Sequence, residues 1–389
     1  MKKKILSVFL IAVMLVTLMP CSAFGAIKSA GTATNTSSLV SSENLEHNSV
    51  KVTANGSSLY VEVETPMKAS EFNVNVVKVG QKKSSWVCRA YPENMGGYYS
   101  FDFTVPLYVE RAGGNLSGDY ILMITMKKTG SSDSIVFYKN CAFNVRSGKF
   151  SVLKYNKVIN ENNRIEKLGA KKSASNFKKT NMSDLKTLLF RDPVTKKVAS
   201  VTKSKVKYFK KTADSVTKGA KTDYEKVLKI YEYIGTNFYY DTVAFLTGTK
   251  QYIDPYRNLY NMRNKKKSAN SQSGKVATTC VGYSAAVVAL CRAEGIPARI
   301  VNGHHISLGD GGFNNWSTES GITKLDHWWA EVYVDGRWII VDATPANSNK
   351  WNRNTKKWDY TGLTNYIYLD PTPEQFATSH LIFQIRGVN

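Results

Sequence analysis

Apolar residues recur with two different spacings along the chain, and in its first half they recur at every second position. Between about Ser49 and Arg146, apolar and polar residues alternate in runs such as VKVTA, LYVEVE, EFNVNVVKV and DYILMITMKK, separated by clusters of Gly, Ser, Asp and Asn. Such alternation places every second side chain on one face of a strand. The pattern predicts five or more antiparallel strands, with a hairpin turn at Asn55-Gly56, in a β-sandwich domain over residues 49–147.

A helical period replaces this alternation in the second half of the chain. In the segment TDYEKVLKIYEYIGTNFYYD, apolar residues recur every three or four positions, as at Val227, Ile230 and Ile234. That spacing gives a helix one buried stripe. We expect this helix to begin after an N-cap at Asp223 and to end at Gly235.

The segment TTCVGYSAAVVALC predicts a second helix. Residues Val281–Ala293 are apolar almost all round, so this helix is expected to be central and buried and to begin near Cys280. Thr278 or Thr279 caps its start, and the Gly-Ile-Pro at 295–297 ends it. Cys280 then lies in the first turn, where unpaired backbone N–H groups and the helix dipole favour a thiolate.

Cys291 follows Cys280 in the same predicted helix, eleven residues later. At a rise of ~1.5 Å per residue, the two are roughly 16 Å apart, far beyond the ~7 Å between Cα atoms that a disulfide allows. Cys280 is therefore the candidate nucleophile, and Cys291 is an interior residue. In the predicted sandwich, Cys88 and Cys141 either form a bridge or remain two separate buried thiols.

The segment DHWWAEVYVDGRWIIVDATP predicts a β-hairpin that turns at Asp335-Gly336. This turn pairs Val334 with Arg337 and puts His327 on the same face as Asp342. As diagonal cross-strand neighbours, the two have backbones ~7–8 Å apart and side chains within reach of each other. That is the relation an imidazole needs with the carboxylate that orients it and stabilises its cation.

Cys280, His327 and Asp342 are together the predicted catalytic residues. A thiolate attacks a carbonyl, the imidazole takes and returns the proton, and the carboxylate orients the imidazole. A metal site has less support, because the adjacent His304 and His305 point apart on a strand and no CxxC or HxxxH spacing occurs. A serine nucleophile is disfavoured because VGYSA lacks the second glycine of the GxSxG motif. Neither a metal nor a cofactor is predicted.

Residues 1–25 have the form of a secretory signal peptide. Lys2–Lys4 precede the apolar stretch Ile5–Met19, and the Ala-Phe-Gly at 23–25 supplies a small-residue cleavage site. A lipoprotein signal at Cys21 is the alternative, although Pro20 stands where such signals carry a small residue. We therefore expect a secreted or cell-surface and cell-wall associated protein, with no integral membrane contact after removal of the signal.

Positive charge dominates the chain, whose formal net charge is +23. Residues 26–48 are small and polar and are expected to form a flexible tether, whereas residues 148–221 are expected to form a basic connector. Between Arg164 and Lys229, 19 Lys or Arg residues stand against 6 Asp or Glu residues. Such a surface implies anionic surroundings, which for an exported protein are cell-envelope polymers or acidic host glycans rather than nucleic acid. A solvated lysine-rich face is the other interpretation.

The motifs TTCVGYSAAVVALCRAEGIPARIVNG, HWWAEVYVDGRWIIVDAT and NYIYLDPTPEQFATSH resemble the transglutaminase-like superfamily in its bacterial secreted branch. The resemblance covers about Thr222–His380. It implies an α+β, papain-like catalytic domain at residues 222–389, with a central helix against an antiparallel sheet. It also implies that Cys280, His327 and Asp342 form the family's triad.

The leading hypothesis is an exported thiol-dependent enzyme that acts on peptide or side-chain amides through a Cys280 thioester. Water as acceptor makes it a protease or amidase, and a lysine amine makes it a protein crosslinker. The expected partner is a protein or peptide substrate, such as a cell-wall peptide. The alternative is a non-enzymatic, basic cell-wall-binding or adhesion protein that uses the same fold as a scaffold. For the oxyanion hole, the Cys280 N–H is one expected donor, with Gln272 or Tyr240 as candidates for the second.

Overall fold

The structure is a computed structural model that describes most of the two folded regions of the chain. The described residues are 30–31, 49–65, 68–81, 83–128, 134–153, 155–173, 202–248, 252–266, 274–306, 326–346, 350–352, 355, 357–359, 364, 366–371, 373–377 and 379–386. The predicted signal peptide lies outside them, as do most of the predicted tether and the middle of the predicted basic connector.

The N-terminal region consists of two antiparallel sheets packed face to face. One sheet has the strand order β1-β12-β11-β10-β4-β5 and the other β2-β3-β7-β6, with a small β8–β9 pair beside them. The strands are β1 Ala30–Gly31, β2 Ser49–Asn55, β3 Ser58–Thr65, β4 Ala69–Lys78, β5 Ser85–Ala90, β6 Glu93–Asn94, β7 Tyr99–Pro106, β8 Tyr108–Val109, β9 Gly114–Asn115, β10 Gly118–Lys128, β11 Ser134–Arg146 and β12 Lys149–Leu153.

The alternating pattern explains this sandwich. Leu59, Val61 and Val63 are fully buried on β3, and the residues between them face outward or are half-buried. Gly56 has a φ of 56°, which lets the chain reverse between Asn55 and its partner Ser58. The predicted first hairpin is therefore present in the structure.

Three strands of the larger sheet were not expected from the sequence, and one of them, β1, falls within the predicted flexible tether and pairs with β12. β5 lies at one edge, and β12 continues the sheet to Leu153, beyond the expected boundary at 147, because Ser147 and Gly148 turn the chain with φ values of 48° and 71°. Cys88 on β5 is a free cysteine. Strands β4 and β10 separate it from the strand of Cys141, which puts the two positions roughly 14 Å apart at ~4.8 Å per strand. The bridge considered for this pair is therefore wrong.

The C-terminal region packs helices against a four-stranded antiparallel sheet of order β17-β16-β15-β20, with two smaller strand pairs, β13–β14 and β18–β19. Its elements are α1 Asn156–Ser173, α2 Lys203–Val216, α3 Asp223–Asn237, β13 Phe238–Tyr240, α4 Thr242–Thr247, α5 Pro255–Arg263, β14 Val276–Thr278, α6 Cys280–Ala293, β15 Ala298–His305, β16 His327–Val334, β17 Arg337–Val341, β18 Lys350–Asn352, β19 Lys357–Asp359, α7 Pro373–Ala377 and β20 His380–Arg386. The fold class is α+β, as predicted.

Helix α6 is the centre of this region. All 14 of its residues are buried, and it packs against β15, β16, α2 and α3. Gly295, with a φ of 78°, turns the chain after the helix, as the sequence indicates. An apolar helix surrounded by other elements can hold a functional side chain rigidly at its first turn.

Both predicted ends of α3 need correction. The N-cap is Thr222, whose hydroxyl accepts from the Glu225 N–H, and Asp223 is the first helical residue. The helix also continues through Gly235 to Asn237. A Cβ on Gly235 would lie 2.7 Å from the Thr364 side chain, so this glycine allows a close approach of the chain and does not terminate the helix.

Helix α1, from the predicted basic connector, packs on the edge strand β20. The Asn162 side chain donates to the His380 carbonyl and accepts from the Ile382 N–H, so it bridges two backbone groups of β20. Beside this contact, Ala142 and Leu153 of the sandwich share a small apolar cluster with Leu381. Among the described residues, no helix is both long and apolar enough to cross a membrane.

Candidate active site

Cys280 is the first residue of α6 and immediately follows the loop from β14. Its helix is capped by Thr279, whose carbonyl accepts from the N–H groups of Gly282 and Tyr283. The Cys280 side chain is largely buried, with 5% of the residue exposed. The sequence prediction of a cysteine in the first turn of a buried helix is therefore correct.

His327 and Asp342 come from the two strands of one hairpin. The register pairs Val334 with Arg337 and continues to Ala330 with Val341, as the Asp335-Gly336 turn predicts. His327 opens β16 and Asp342 directly follows β17, so the two side chains meet across the strands. Their Nε2 and Oδ2 atoms are 2.7 Å apart.

Burial and neighbouring charge have opposite effects on the pKa of each residue in this pair. Burial alone would lower the pKa of His327, but the Asp342 carboxylate, with a further contribution from Cys280, outweighs it and raises the pKa to about 10. Burial would likewise raise the pKa of Asp342, but His327 and His380 hold it well below its usual range. The site therefore stabilises an imidazolium beside a carboxylate.

Two side chains hydrogen bond to the Cys280 sulfur. One is the His327 ring. The other is the Tyr240 hydroxyl, whose pKa is raised by burial and by Cys280. Tyr240 reaches the site because β13 pairs in parallel with β14, which leads into the cysteine.

The structure thus brings together the three predicted residues, whose catalytic role stays a prediction. Cys291 is in a different environment, fully buried inside α6, where burial and Glu294 raise the pKa of its thiol. It is a free cysteine, as is Cys280. Gln272, considered for the oxyanion hole, lies outside the described residues.

The aromatic residues near the site mostly pack the interior. Trp328 and Trp329 are 6% and 0% exposed, so they belong to the core rather than to the wall of a cleft. Tyr252 is covered by the Arg257 guanidinium, 4.2 Å from the centre of its ring.

Sequence reasoning missed a second histidine on the aspartate. His380 opens β20, and its Nε2 lies 3.3 Å from Asp342 Oδ2, the same oxygen that binds His327. The other carboxylate oxygen, Oδ1, accepts from the Thr344 N–H at 2.9 Å. The only sequence signal for His380 is its place in the tail NYIYLDPTPEQFATSH, which assigns it no chemistry.

Within the described part of the chain, His327, Asp342 and His380 are the residues that come closest to a metal-binding set. Their ligand atoms all lie within 4.8 Å of one another, and all three are buried. Both histidine Nε2 atoms lie within hydrogen-bonding distance of the same oxygen, Asp342 Oδ2. The chemistry of the set is that of a hydrogen-bonded acid–base group.

Comparison with known proteins places the site in a family context. Residues 210–343 match the Transglutaminase-like superfamily, a range that begins inside α2 and ends just after Asp342. The chain is 30% identical over 161 residues to kyphoscoliosis peptidase of Homo sapiens and 28% identical to that of Mus musculus. These matches cover 41% of this chain and 21% of each relative, so the chain spans about a fifth of the curated relatives' length.

Among solved structures, transglutaminase of red sea bream matches at 11% identity, over 75% of this chain and 48% of the other, with a TM-score of 0.26. A TM-score this low does not establish a common arrangement of the whole chains. The superfamily match and the geometry around Cys280 together indicate a thiol-dependent kind of enzyme.

Proposed function

Because residues 210–343 are a transglutaminase-like superfamily domain, we propose that the protein is an exported acyl-transfer enzyme that attacks peptide or side-chain amides through Cys280. The observation that carries this proposal is the sequence of contacts from Cys280 to His327 and from His327 to Asp342. A scaffold that only binds a partner has no need for a thiol, an imidazole and a carboxylate in this order.

In the first half of the reaction, the Cys280 thiolate attacks the amide carbonyl and forms a tetrahedral intermediate. The His327 imidazolium then gives its proton to the amide nitrogen, the C–N bond breaks, and an amine or ammonia leaves. The acyl group remains on Cys280 as a thioester. Asp342 stabilises the imidazolium before the transfer and keeps the neutral ring oriented after it.

In the second half, neutral His327 takes a proton from the acceptor as the acceptor attacks the thioester, and the C–S bond then breaks to release the Cys280 thiolate. Water gives a carboxylate, and a lysine amine gives a new amide. We favour water, since it is always present and since the two curated relatives are named peptidases. The Cys280 backbone N–H and the Tyr240 hydroxyl are the proposed donors to the oxyanion, because both belong to the immediate surroundings of the sulfur.

The test is to incubate the secreted protein with cell-wall peptides and, separately, with a glutamine-containing protein plus a labelled amine. Mass spectrometry then distinguishes cleavage, deamidation and amine incorporation. Cys280→Ala should abolish every product and all covalent labelling by an amide-mimic probe. Cys291→Ala, the matched control from the same helix, should keep both. Labelling or turnover that survives in Cys280→Ala would overturn the proposal.

A second candidate function, binding to an anionic cell-envelope polymer, is favoured by one surface of α2 and α5. Here the Tyr208, Tyr256 and Tyr260 rings contact one another at 5.4–5.9 Å. The Lys205 ammonium lies 5.0 Å from the centre of the Tyr256 ring, and the Arg263 guanidinium 5.8 Å from that of Tyr208. Retention on purified cell wall that survives Cys280→Ala, and that falls with salt and in a Lys205→Gln, Arg263→Gln variant, would show binding separable from chemistry.

A further inference from the structure

The Asp342 carboxylate accepts from two histidines. His327 Nε2 lies 2.7 Å and His380 Nε2 3.3 Å from the same oxygen, Oδ2. His327 comes from β16 and His380 from β20, on the far side of β15 in the sheet. The proposed triad explains the contact between His327 and Asp342, but it does not explain the contact between His380 and Asp342.

The His380 ring is fixed on every side that the structure describes. It is fully buried and stacks on Phe376, with centroids 4.2 Å apart and planes 16° from parallel. Its Nδ1 lies 2.8 Å from the Ser379 hydroxyl, which lies 2.8 Å from the Tyr368 hydroxyl. Asn162 of α1 holds the backbone of the same residue through its carbonyl. A ring fixed in this way can determine the orientation of the group it bonds.

The charge on Asp342 fixes the direction of its hydrogen bond with His380. The Asp342 carboxylate is ionised and can only accept, so His380 Nε2 carries the proton and donates. From His380 Nδ1, the Ser379 hydroxyl and then the Tyr368 hydroxyl continue the chain of hydrogen bonds away from Asp342.

We propose that His380 is a positioning residue that acts through Asp342, holding the carboxylate with Oδ2 directed at the His327 ring. This inference rests on the proposed function of the Cys280 site. Thr344 fixes Oδ1, and His380 fixes Oδ2, so the plane of the carboxylate is set by donors on both oxygens. Without His380, the carboxylate keeps one fixed oxygen and can rotate away from the imidazole that it must orient.

The test compares His380→Phe, which keeps a flat ring against Phe376 but removes the donor, with His380→Gln, whose amide N–H reaches about the position of Nε2. His380→Phe should lower kcat about tenfold, the smaller end of what a hydrogen bond to a charged group contributes, and should leave KM within about twofold. His380→Gln should recover most of kcat. Leu381→Ala, a packing control on the same strand β20, should lower the melting temperature without the loss in kcat.

A second readout needs no substrate. The rate of Cys280 alkylation by iodoacetamide, followed from pH 5 to 9, reports the thiolate–imidazolium pair directly, and it should fall at neutral pH in His380→Phe and recover in His380→Gln. If His380→Phe fails to fold, Tyr368→Phe breaks the far end of the same chain of hydrogen bonds and should give a smaller loss in the same direction.

Wild-type kcat and alkylation rates in a folded His380→Phe variant would overturn the proposal, as would a His380→Gln variant no better than His380→Phe. A different result would contradict the proposed function itself: the wild-type protein would turn over no amide. The alkylation rates would still show in that case whether His380 supports the thiolate–imidazolium pair of Cys280 and His327.

Discussion

His327 and Asp342 are 15 residues apart in the chain, yet the imidazole Nε2 of one lies 2.7 Å from the carboxylate Oδ2 of the other. The Asp335-Gly336 turn produces this relationship, because both residues have positive φ, 51° and 78°, as a two-residue hairpin turn requires. The turn fixes the register, and the register fixes which side chains share a face. The geometry of the proposed base thus depends on two residues at the far end of the hairpin.

Asp342→Asn tests whether the charge of the carboxylate, and not only its position beside His327, is needed for activity. The amide fills the same space but carries no charge to stabilise an imidazolium, and it can hold the ring in the wrong tautomer. We expect kcat for amide turnover to fall by about 10³- to 10⁴-fold, the size of effect seen when a triad aspartate is made neutral. Steady-state kinetics on the substrate found by mass spectrometry would measure it.

Asp326→Asn is the matched control for that variant. Asp326 directly precedes His327, but its carboxylate bonds to His304, 2.9 Å away, and 42% of its side chain is exposed. The control should retain kcat within a few-fold. Equal losses in the two variants would show that negative charge near the strand, rather than the carboxylate on His327, supports the reaction.

The parts of the site that depend on local pattern could be predicted from the sequence. Cys280 was placed by the apolar run after it, and His327 and Asp342 by alternation around one turn. The register found between Val334 and Arg337 is the one that this turn specifies. In each case, the information lies within about 20 residues of the side chain concerned.

The parts that depend on distant chain segments could not be predicted. His380 reaches Asp342 because β20 joins the edge of β15, and no pattern near His380 specifies that partner. The sequence around Gly235 is that of a helix-terminating glycine, and only the structure shows that this residue packs closely against the Thr364 side chain. Cys88 and Cys141 share a domain, but the strand order that separates them is set by pairing across the whole sheet.

The raised pKa of His327 predicts how stability changes with pH. The folded protein binds this proton more tightly than the unfolded chain, in which a histidine titrates near pH 6.5. The contribution of the pair to stability is therefore complete below about pH 6.5 and is lost as the pH rises through about 10. The difference in melting temperature between wild type and His327→Gln should shrink steadily from pH 6 to pH 10. A constant difference over that range would show that the proton on His327 does not stabilise the fold.

Tyr240→Phe tests the hydroxyl that bonds to the Cys280 sulfur. If this hydroxyl donates to the oxyanion, its removal should lower kcat by about 10²-fold, since one oxyanion donor contributes about that much or more. KM should change little, because the charge develops only as the bond forms. Tyr333→Phe, at a site 40% exposed on β16, is the control and should behave as wild type. Unchanged kcat in Tyr240→Phe would assign the tyrosine a packing role only.

A buried ion pair joins strands β15 and β16 of the sheet that carries His327. Arg299 on β15 is fully buried, and its Nε lies 2.6 Å from an oxygen of Glu331, which is 1% exposed, on the neighbouring strand β16. Its guanidinium also bonds to Glu166 of α1 at 2.6 Å and lies 4.0 Å from the Trp338 ring centre. The arginine therefore joins α1 to the sheet that carries His327.

Arg299→Met should lower the free energy of unfolding by about 3–5 kcal/mol, because it leaves the Glu331 carboxylate buried without its cation. The double variant with Glu331→Leu should regain much of that loss, since it removes the orphaned charge as well. Lys51→Met, which breaks the exposed Lys51–Glu62 pair of the sandwich, should leave the denaturation midpoint unchanged. Chemical denaturation of the three variants measures all of these. A double variant as unstable as Arg299→Met alone would show that the lost contacts to Glu166 and Trp338, and not the unpaired carboxylate, account for the destabilisation.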